Sequence, residues 1–283
     1  MERLRSARSQ PGNPIQPAQH TWSPDTNRHA APMRITAFIP ARYESTRFPG
    51  KPLAPIAGKP MIRHVYERAS SCRLIGDVFV ATDDERILHE VRAFGGRGIL
   101  TARGHHSGSD RIAEAAMVLG LQDDDLVVNI QGDQPLFEPS SVEDLVSPFE
   151  TEDASLSMST LKYRITNQEE IRDPNIVKVV TDRNEWALFF SRSPIPYYRD
   201  ADSDRVFFKH LGFYAHRLSF LKVFARLGPG PIETAEKLEQ LRALESGYRI
   251  KVVETRHDSI EIDTPRDIEK VERMISMKIE GSA

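Results

Sequence analysis

Three features of the sequence predict an α/β chain built on a doubly wound, mostly parallel sheet. Short apolar runs alternate with stretches of helical spacing over residues 35–119, the pattern that βαβ units leave in a sequence. Residues 125–130, DLVVNI, form an apolar run long enough to be a central strand covered on both faces. Over residues 175–216 strand-like segments follow one another with no long helix between them. That change predicts a smaller antiparallel lobe, at about residues 175–232.

The first strand is the apolar run 35–39. After it Pro40, Pro49, Gly50, Pro52, Pro55 and Gly58 exclude a helix, so the chain leaves the strand in a shaped loop. Arg42, Arg47 and Lys51 stand in that loop. Ligands of open α/β sheets sit outside the carboxyl ends of the strands, and a cationic, glycine-bearing loop there suits a polyphosphate. An ordinary solvated basic loop would have the same composition. A P-loop is excluded, because Gly50-Lys51 is followed by Pro52 and Gly58-Lys59 by Pro60.

A helix is expected over 61–72, with Met61, Val65 and Ala69 on one side, and a strand over 77–81. Thr82-Asp83-Asp84 supplies capping chemistry for a helix through Phe94 that Gly95-Gly96 ends, and a third strand covers 97–101. His105-His106-Ser107-Gly108-Ser109-Asp110-Arg111 opens the next helix, with Ser107 or Ser109 as its cap. The adjacent histidines point in different directions and no other His or Cys lies at ligand spacing, which argues against zinc. The strand 125–130 runs into Gln131-Gly132-Asp133-Gln134-Pro135. A carboxylate behind a glycine at the end of a buried strand can hold Mg²⁺ together with phosphate oxygens; a turn-forming aspartate is the alternative.

Beyond Pro139 a helix leads to a strand over 155–162, and strands at 177–181, 186–191 and 206–216 make up the lobe. Arg192 lies between an aromatic strand and the turn fixed by Pro194 and Pro196, a rigid place from which a guanidinium could grip a carboxylate. In a regular strand residues 210, 212 and 214 share a face, so His210 and Tyr214 flank the space left by Gly212, as a sugar site would need. An interior hydrogen-bonded histidine is the plainer reading of His210. A helix over 235–246 buries Leu238, Leu241 and Leu244 and stops at Gly247, leaving Glu239 to pair with Arg242 one turn on. Strands follow at 249–254 and 259–262. Thr264, Pro265 and Asp267 then start a last helix that buries Ile268, Val271 and Ile275. Asp263 has no part in that cap and is a second carboxylate at a strand end.

With 283 residues, 39% of them apolar, the chain can bury one large core. A formal charge of −3 argues against nucleic acid as a partner. No apolar run approaches the roughly 20 residues of a membrane span. The single Cys72 excludes an internal disulfide and fits a reducing compartment, the cytoplasm. Residues 1–32 hold five prolines and no apolar periodicity, so a disordered, dispensable extension is expected ahead of one domain over 33–283.

Read together, PARYESTRFPGKPL, HHSGSDR, QGDQP, LEQLR and DTPRD resemble, in order, the motifs of the 3-deoxy-manno-octulosonate (Kdo) cytidylyltransferases. Ser109 stands where H-x-S-G-T-[DE]-R has threonine, and Gln134 where Q-G-D-E-P has glutamate. The resemblance implies a three-layer α/β/α sandwich like the nucleotide-diphospho-sugar transferases, and a homodimer formed through the lobe. It also implies cytidylyl transfer from CTP to Kdo, which activates the sugar for lipopolysaccharide synthesis. Arg42, Arg47 and Lys51 would take the triphosphate; Asp133 and Asp263, Mg²⁺; and Ser107, Arg111 and Gln131, the nucleotide. Gln131, Arg192, His210, Tyr214, Glu239 and Gln240 would line the acid-sugar site. Other sugar acids (8-amino-Kdo, sialic acid), a glycosyltransferase, and a nucleotide-binding protein without catalysis are the alternatives.

Overall fold

The computed structural model describes residues 34–45, 48–105, 107–152, 155–200 and 204–280; the disorder expected for residues 1–32 falls outside them. Strand β1 (Ile35–Ala41) is apolar on both faces. Ala37 and Ile39 point into one side of the sheet and Phe38 into the other, all three fully buried. After a single 3-10 turn (Lys51–Leu53) and the two-residue strands β2 (Pro55–Ile56) and β3 (Lys59–Pro60), the chain winds outward. Helix α1 (Met61–Ser70) leads to β4 (Asp77–Thr82), and α2 (Glu85–Ala93) to β5 (Gly98–Leu100). Asp84 caps α2 by accepting from Arg86 N, as its place in the sequence predicts. Helix α3 (Gly108–Val118), opened by a Ser107/Asp110 capping box, carries the chain back to β6 (Leu126–Asn129) on the far side of β1.

Strand β1 pairs in parallel with β4 and with β6, and β4 with β5. The winding direction therefore reverses between β1 and β6, which makes that crevice the topological switch point of the sheet. The second half runs through α4 (Ser140–Val146), α5 (Pro148–Thr151), β7 (Met158–Arg164) and α6 (Gln168–Arg172) to the hairpin strands β8 (Lys178–Thr181) and β9 (Ala187–Ser191). Then come β10 (Phe208–Arg217), α7 (Leu218–Phe224), α8 (Pro231–Glu236), α9 (Leu241–Glu245), β11 (Lys251–Glu254) and α10 (Pro265–Glu280). The sheet order is β11-β7-β10-β6-β1-β4-β5, with β10 reversed among parallel neighbours. The β8–β9 hairpin pairs with β10, so the antiparallel lobe grows out of the main sheet. Helices α1, α2 and α4 cover one face and α3 and α7 the other, which is the three-layer arrangement expected.

Two expectations need correction. Residues 259–262 form no strand. The backbone of Ile262 bonds outside any ladder: its N donates to Asp133 O at 2.9 Å, and its O accepts from Lys51 Nζ at 2.9 Å. The helix expected over 235–246 is two short helices, α8 and α9. Lys237, at φ 56°, is left-handed and breaks it, while Arg242 spans the break with two bonds to the Glu233 carboxylate, 2.8 and 2.6 Å. The short helices α6 and α7 are elements that the sequence reading did not identify.

Candidate active site

The crevice at the switch point is a cleft of about 430 Å³. Pro40, Ala41 and Arg42 enter it from the end of β1, Lys51 and Pro52 from the following turn, and Gln131, Gly132 and Asp133 from the end of β6. A Cβ on Gly132 would stand 3.1 Å from the Pro40 carbonyl oxygen; glycine is what lets the two strand ends lie so close. Lys51 Nζ is 2.6 Å from Asp133 Oδ2 and 3.9 Å from Asp263 Oδ1. Two carboxylates from distant segments thus meet at one ammonium. As hard oxygen donors beside a phosphate-sized cleft they fit Mg²⁺, and the position of the ammonium marks where positive charge is wanted. Asp267 accepts from Asp263 N at 3.1 Å and Thr264 N at 2.8 Å, which fixes the backbone that presents Asp263. Arg42 lines this cleft, and its Nη2 is buried without a hydrogen-bond partner among the described residues. Arg47 lies outside the described residues.

Glu261 joins the same group of charges. It is an exposed residue, yet the protein around it, first, and then the charges of Asp133 and Asp263 push its carboxyl up to about 7. Gln134, 1% exposed, donates to Glu261 Oε1 at 3.0 Å and to Leu211 O at 2.8 Å, and accepts from Ser259 Oγ at 2.6 Å.

The sugar-side residues are organised by a bulge in β10. The register against β7 shifts between His210 and Tyr214, and Gly212 sits there at φ +74°, a left-handed conformation that favours glycine. The three bulge carbonyls are each taken up by a side chain: Leu211 O by Gln134, Gly212 O by Gln131 Nε2 at 2.9 Å, and Phe213 O by Thr160 Oγ1 at 2.6 Å. The face shared by His210 and Tyr214 therefore survives the bulge, with their rings 5.3 Å apart. Thr160 spends its proton on Phe213 O, so it accepts from His210 Nε2 at 2.8 Å, making Nε2 the protonated nitrogen of a neutral ring. Burial pushes His210 down to about 3 although part of its surface stays accessible. It also pushes Tyr214 well up, helped by the charges of Glu239 and Glu261.

Glu239 lies in the break between α8 and α9 rather than on a helix. Burial raises its carboxyl, while the Ser107 and Ser109 hydroxyls and the Arg242 charge counter that rise. Its Oε1 and the neighbouring Gln240 Nε2 are buried without hydrogen-bond partners among the described residues. The fold thus brings Ser107 to Glu239, joining two motifs far apart in sequence. Arg192 lies nearby and is partly committed: Nε donates to Glu236 O at 2.7 Å, Nη1 to Pro174 O at 2.8 Å and Nη2 to Lys237 O at 3.4 Å. Arg111 is fully buried, donating to Thr101 Oγ1 and Asp83 Oδ2 at 2.5 and 2.8 Å. It ties α3 to the ends of β4 and β5 and presents no surface to a ligand in this conformation. Sequence reasoning missed Glu261 and Thr160, which read as ordinary strand residues, and gave Gln134 no partner.

A family model described as cytidylyltransferase matches residues 36–252. The chain is 56% identical over 238 residues to a 3-deoxy-manno-octulosonate cytidylyltransferase of Syntrophus aciditrophicus, covering 84% of this chain and 96% of that one. It is 53% identical over 245 residues to an 8-amino-3,8-dideoxy-manno-octulosonate cytidylyltransferase of Shewanella baltica, covering 87% and 100%. Among solved structures it resembles a CMP:2-keto-3-deoxy-manno-octonic acid synthetase complexed with CTP, with a TM-score of 0.80 and 41% identity over 87% of this chain and 99% of the other.

Proposed function

This chain belongs to the 3-deoxy-manno-octulosonate cytidylyltransferase family and is a nucleotidyltransferase; from that premise we propose that it transfers the cytidylyl group of CTP to Kdo, releasing pyrophosphate. The anomeric C2 hydroxyl of the sugar attacks the α-phosphorus in line. A C2–O–P bond forms as the hydroxyl releases its proton to solvent, the bond between the α-phosphorus and its bridging oxygen breaks, and that electron pair leaves on pyrophosphate. The reaction asks the protein mainly to align the partners and to balance developing charge. Lys51, Arg42 and Arg47 neutralise the triphosphate, with Gln131 and Ser107 on the nucleotide side; Arg111, enclosed with Thr101 and Asp83, braces α3 rather than touching the ligand. Mg²⁺ held by Asp133 and Asp263 would supply further positive charge to the phosphate oxygens and acidify a hydroxyl that it bound. Gln131, His210, Tyr214, Glu239 and Gln240 receive the sugar hydroxyls. Arg192 has N–H groups left after its carbonyl bonds, and these take the sugar carboxylate.

The convergence of Lys51, Asp133 and Asp263 at the mouth of the switch-point cleft is the observation that carries this reading. Leu188 and Tyr197, 61% and 89% exposed on the lobe, support a homodimer made there. Cys72 is free, and burial pushes its thiol up to about 12; such an inert thiol suits the cytoplasm. No helix among the described residues is long and apolar enough to cross a membrane. The amino sugar is the second reading, because a relative named for it is nearly as similar as one named for Kdo. Pyrophosphate release with CTP and Mg²⁺, using Kdo, 8-amino-Kdo and sialic acid as parallel acceptors, tests both. Release with Kdo is expected. Release with the amino sugar alone reassigns the sugar pocket, and no release with any acceptor overturns the reaction.

A further inference from the structure

Gln134 spends its whole amide on three partners from three segments. One N–H goes to the Leu211 carbonyl in the β10 bulge, the other to the Glu261 carboxylate, and the amide oxygen accepts from Ser259. At 1% exposure, water cannot substitute for any of them. Gln134 directly follows Asp133, and Glu261 lies two residues before Asp263. The two side chains therefore join the same two segments that present the site carboxylates, beside the backbone bond from Ile262 N to Asp133 O. An ionised glutamate at 134 could donate neither bond. It would strand the Leu211 carbonyl and set a second carboxylate against Glu261, in a site that already holds Asp133 and Asp263.

We propose that Gln134 and Glu261 are a matched amide–carboxylate pair, and that Gln134 is a positioning residue holding Asp133 and Asp263 in register for the triphosphate. This role rests on the cytidylyltransferase reading. It has an unexpected consequence: Gln134→Glu, which restores the residue of the Q-G-D-E-P motif, damages this chain, because here the carboxylate stands at 261.

A double-mutant cycle on the full chain tests the pair, using calorimetric binding of CTP with Mg²⁺ in the absence of sugar. Gln134→Glu is expected to weaken CTP binding by about tenfold or more, as two buried donors are lost. Glu261→Gln alone changes it by less than about twofold, because its amide can turn its oxygen to Gln134, and the swap Gln134→Glu/Glu261→Gln re-forms the bond to residue 261 but not the one to Leu211, recovering to within about threefold of wild type. Charge alone predicts a different pattern, in which Glu261→Gln tightens binding as much as Gln134→Glu weakens it and the swap is their sum. That additive result overturns the pair, as does wild-type binding by Gln134→Glu. Should Gln134→Glu not fold, the swap is still expected to fold and bind; a swap that also fails overturns the proposal. Wild-type protein that binds no CTP overturns the cytidylyltransferase reading instead. The same cycle read by thermal melting without nucleotide then decides the pairing, with additive melting shifts counting against it.

Discussion

Lys51 donates to the Asp133 carboxylate at 2.6 Å and to the Ile262 carbonyl at 2.9 Å, so that one ammonium joins the end of β6 to the segment leading into α10. It is both a charge for the cleft and a clasp between its walls. Lys51→Met is expected to lower kcat/KM by about 10²–10³, the scale for losing one preorganised group that meets developing charge. Lys51→Arg should recover only part of this, since a planar fork cannot meet a carboxylate and a carbonyl from the same point. A pyrophosphate-release assay giving Lys51→Met within about fivefold of wild type would remove Lys51 from the charge-balancing role.

Asp133→Asn keeps the side-chain shape and leaves the backbone bond from Ile262 N to Asp133 O untouched. The fold should survive, as circular dichroism would report, while turnover falls about 10²-fold or more. Near-normal turnover would exclude Asp133 from the metal site proposed for it.

Glu261 titrates near 7 in the folded chain against an ordinary 4.5. Between those values the native state holds a proton that the unfolded chain has released. The contribution of this group is thus fully present below pH 4.5 and is lost as pH rises through about 7. The Glu261 carboxyl resonance should move with a midpoint near pH 7, and Asp133→Asn should lower that midpoint by removing a neighbouring charge. A midpoint near 4.5 in wild type would show that the enclosure is not felt.

His216 is 2% exposed, has no partner at either ring nitrogen among the described residues, and faces Tyr214, Phe220 and Phe224. Burial pushes it down to about 3 from 6.5. The unfolded state therefore binds the extra proton below pH 6.5, and stability is lost as pH falls from there towards 3. At pH 5 this amounts to about 2 kcal/mol. His216→Phe should raise Tm at pH 5 and by much less at pH 8; an equal shift at both would mean that packing, not protonation, is responsible.

Arg192 braces the turn at Glu236 and Lys237, just ahead of Glu239 and Gln240. Arg192→Ala should raise the KM for Kdo by about tenfold or more with a much smaller change for CTP. Arg192→Lys should not rescue it, because an ammonium cannot reach several carbonyls and a carboxylate in one plane. Equal effects on both substrates would sink the carboxylate role.

Residues whose chemistry is announced by their immediate neighbours were readable from the chain. Asp133 follows an unbroken buried strand, Asp263 precedes a well-marked helix start, and Lys51 stands among breakers that leave only a loop. Segments whose hydrogen bonds go to distant partners were not. Residues 259–262 have the alternation of a strand, but the Ile262 backbone is claimed by Lys51 and Asp133. Residues 235–246 have a helical leucine stripe, but Lys237 turns left-handed and Arg242 clamps Glu233 across the gap. Arg111 carries a charge that reads as ligand-facing, and only the packing of α3 shows it enclosed with Asp83.

The sequence by itself determined the alternating α/β order, the cationic loop after β1, the carboxylates at 133 and 263, and the switch to antiparallel strands beyond residue 175. Each rests on periodicity or breaker residues that act within a few positions of the chain. The tertiary structure alone decided that β1 and β6 lie side by side with their carboxyl ends together, that Ser107 meets Glu239, and that Gln134 bonds Glu261. Those pairings depend on which distant groups are buried next to one another, and no local pattern encodes the partner of a hydrogen bond made across the fold.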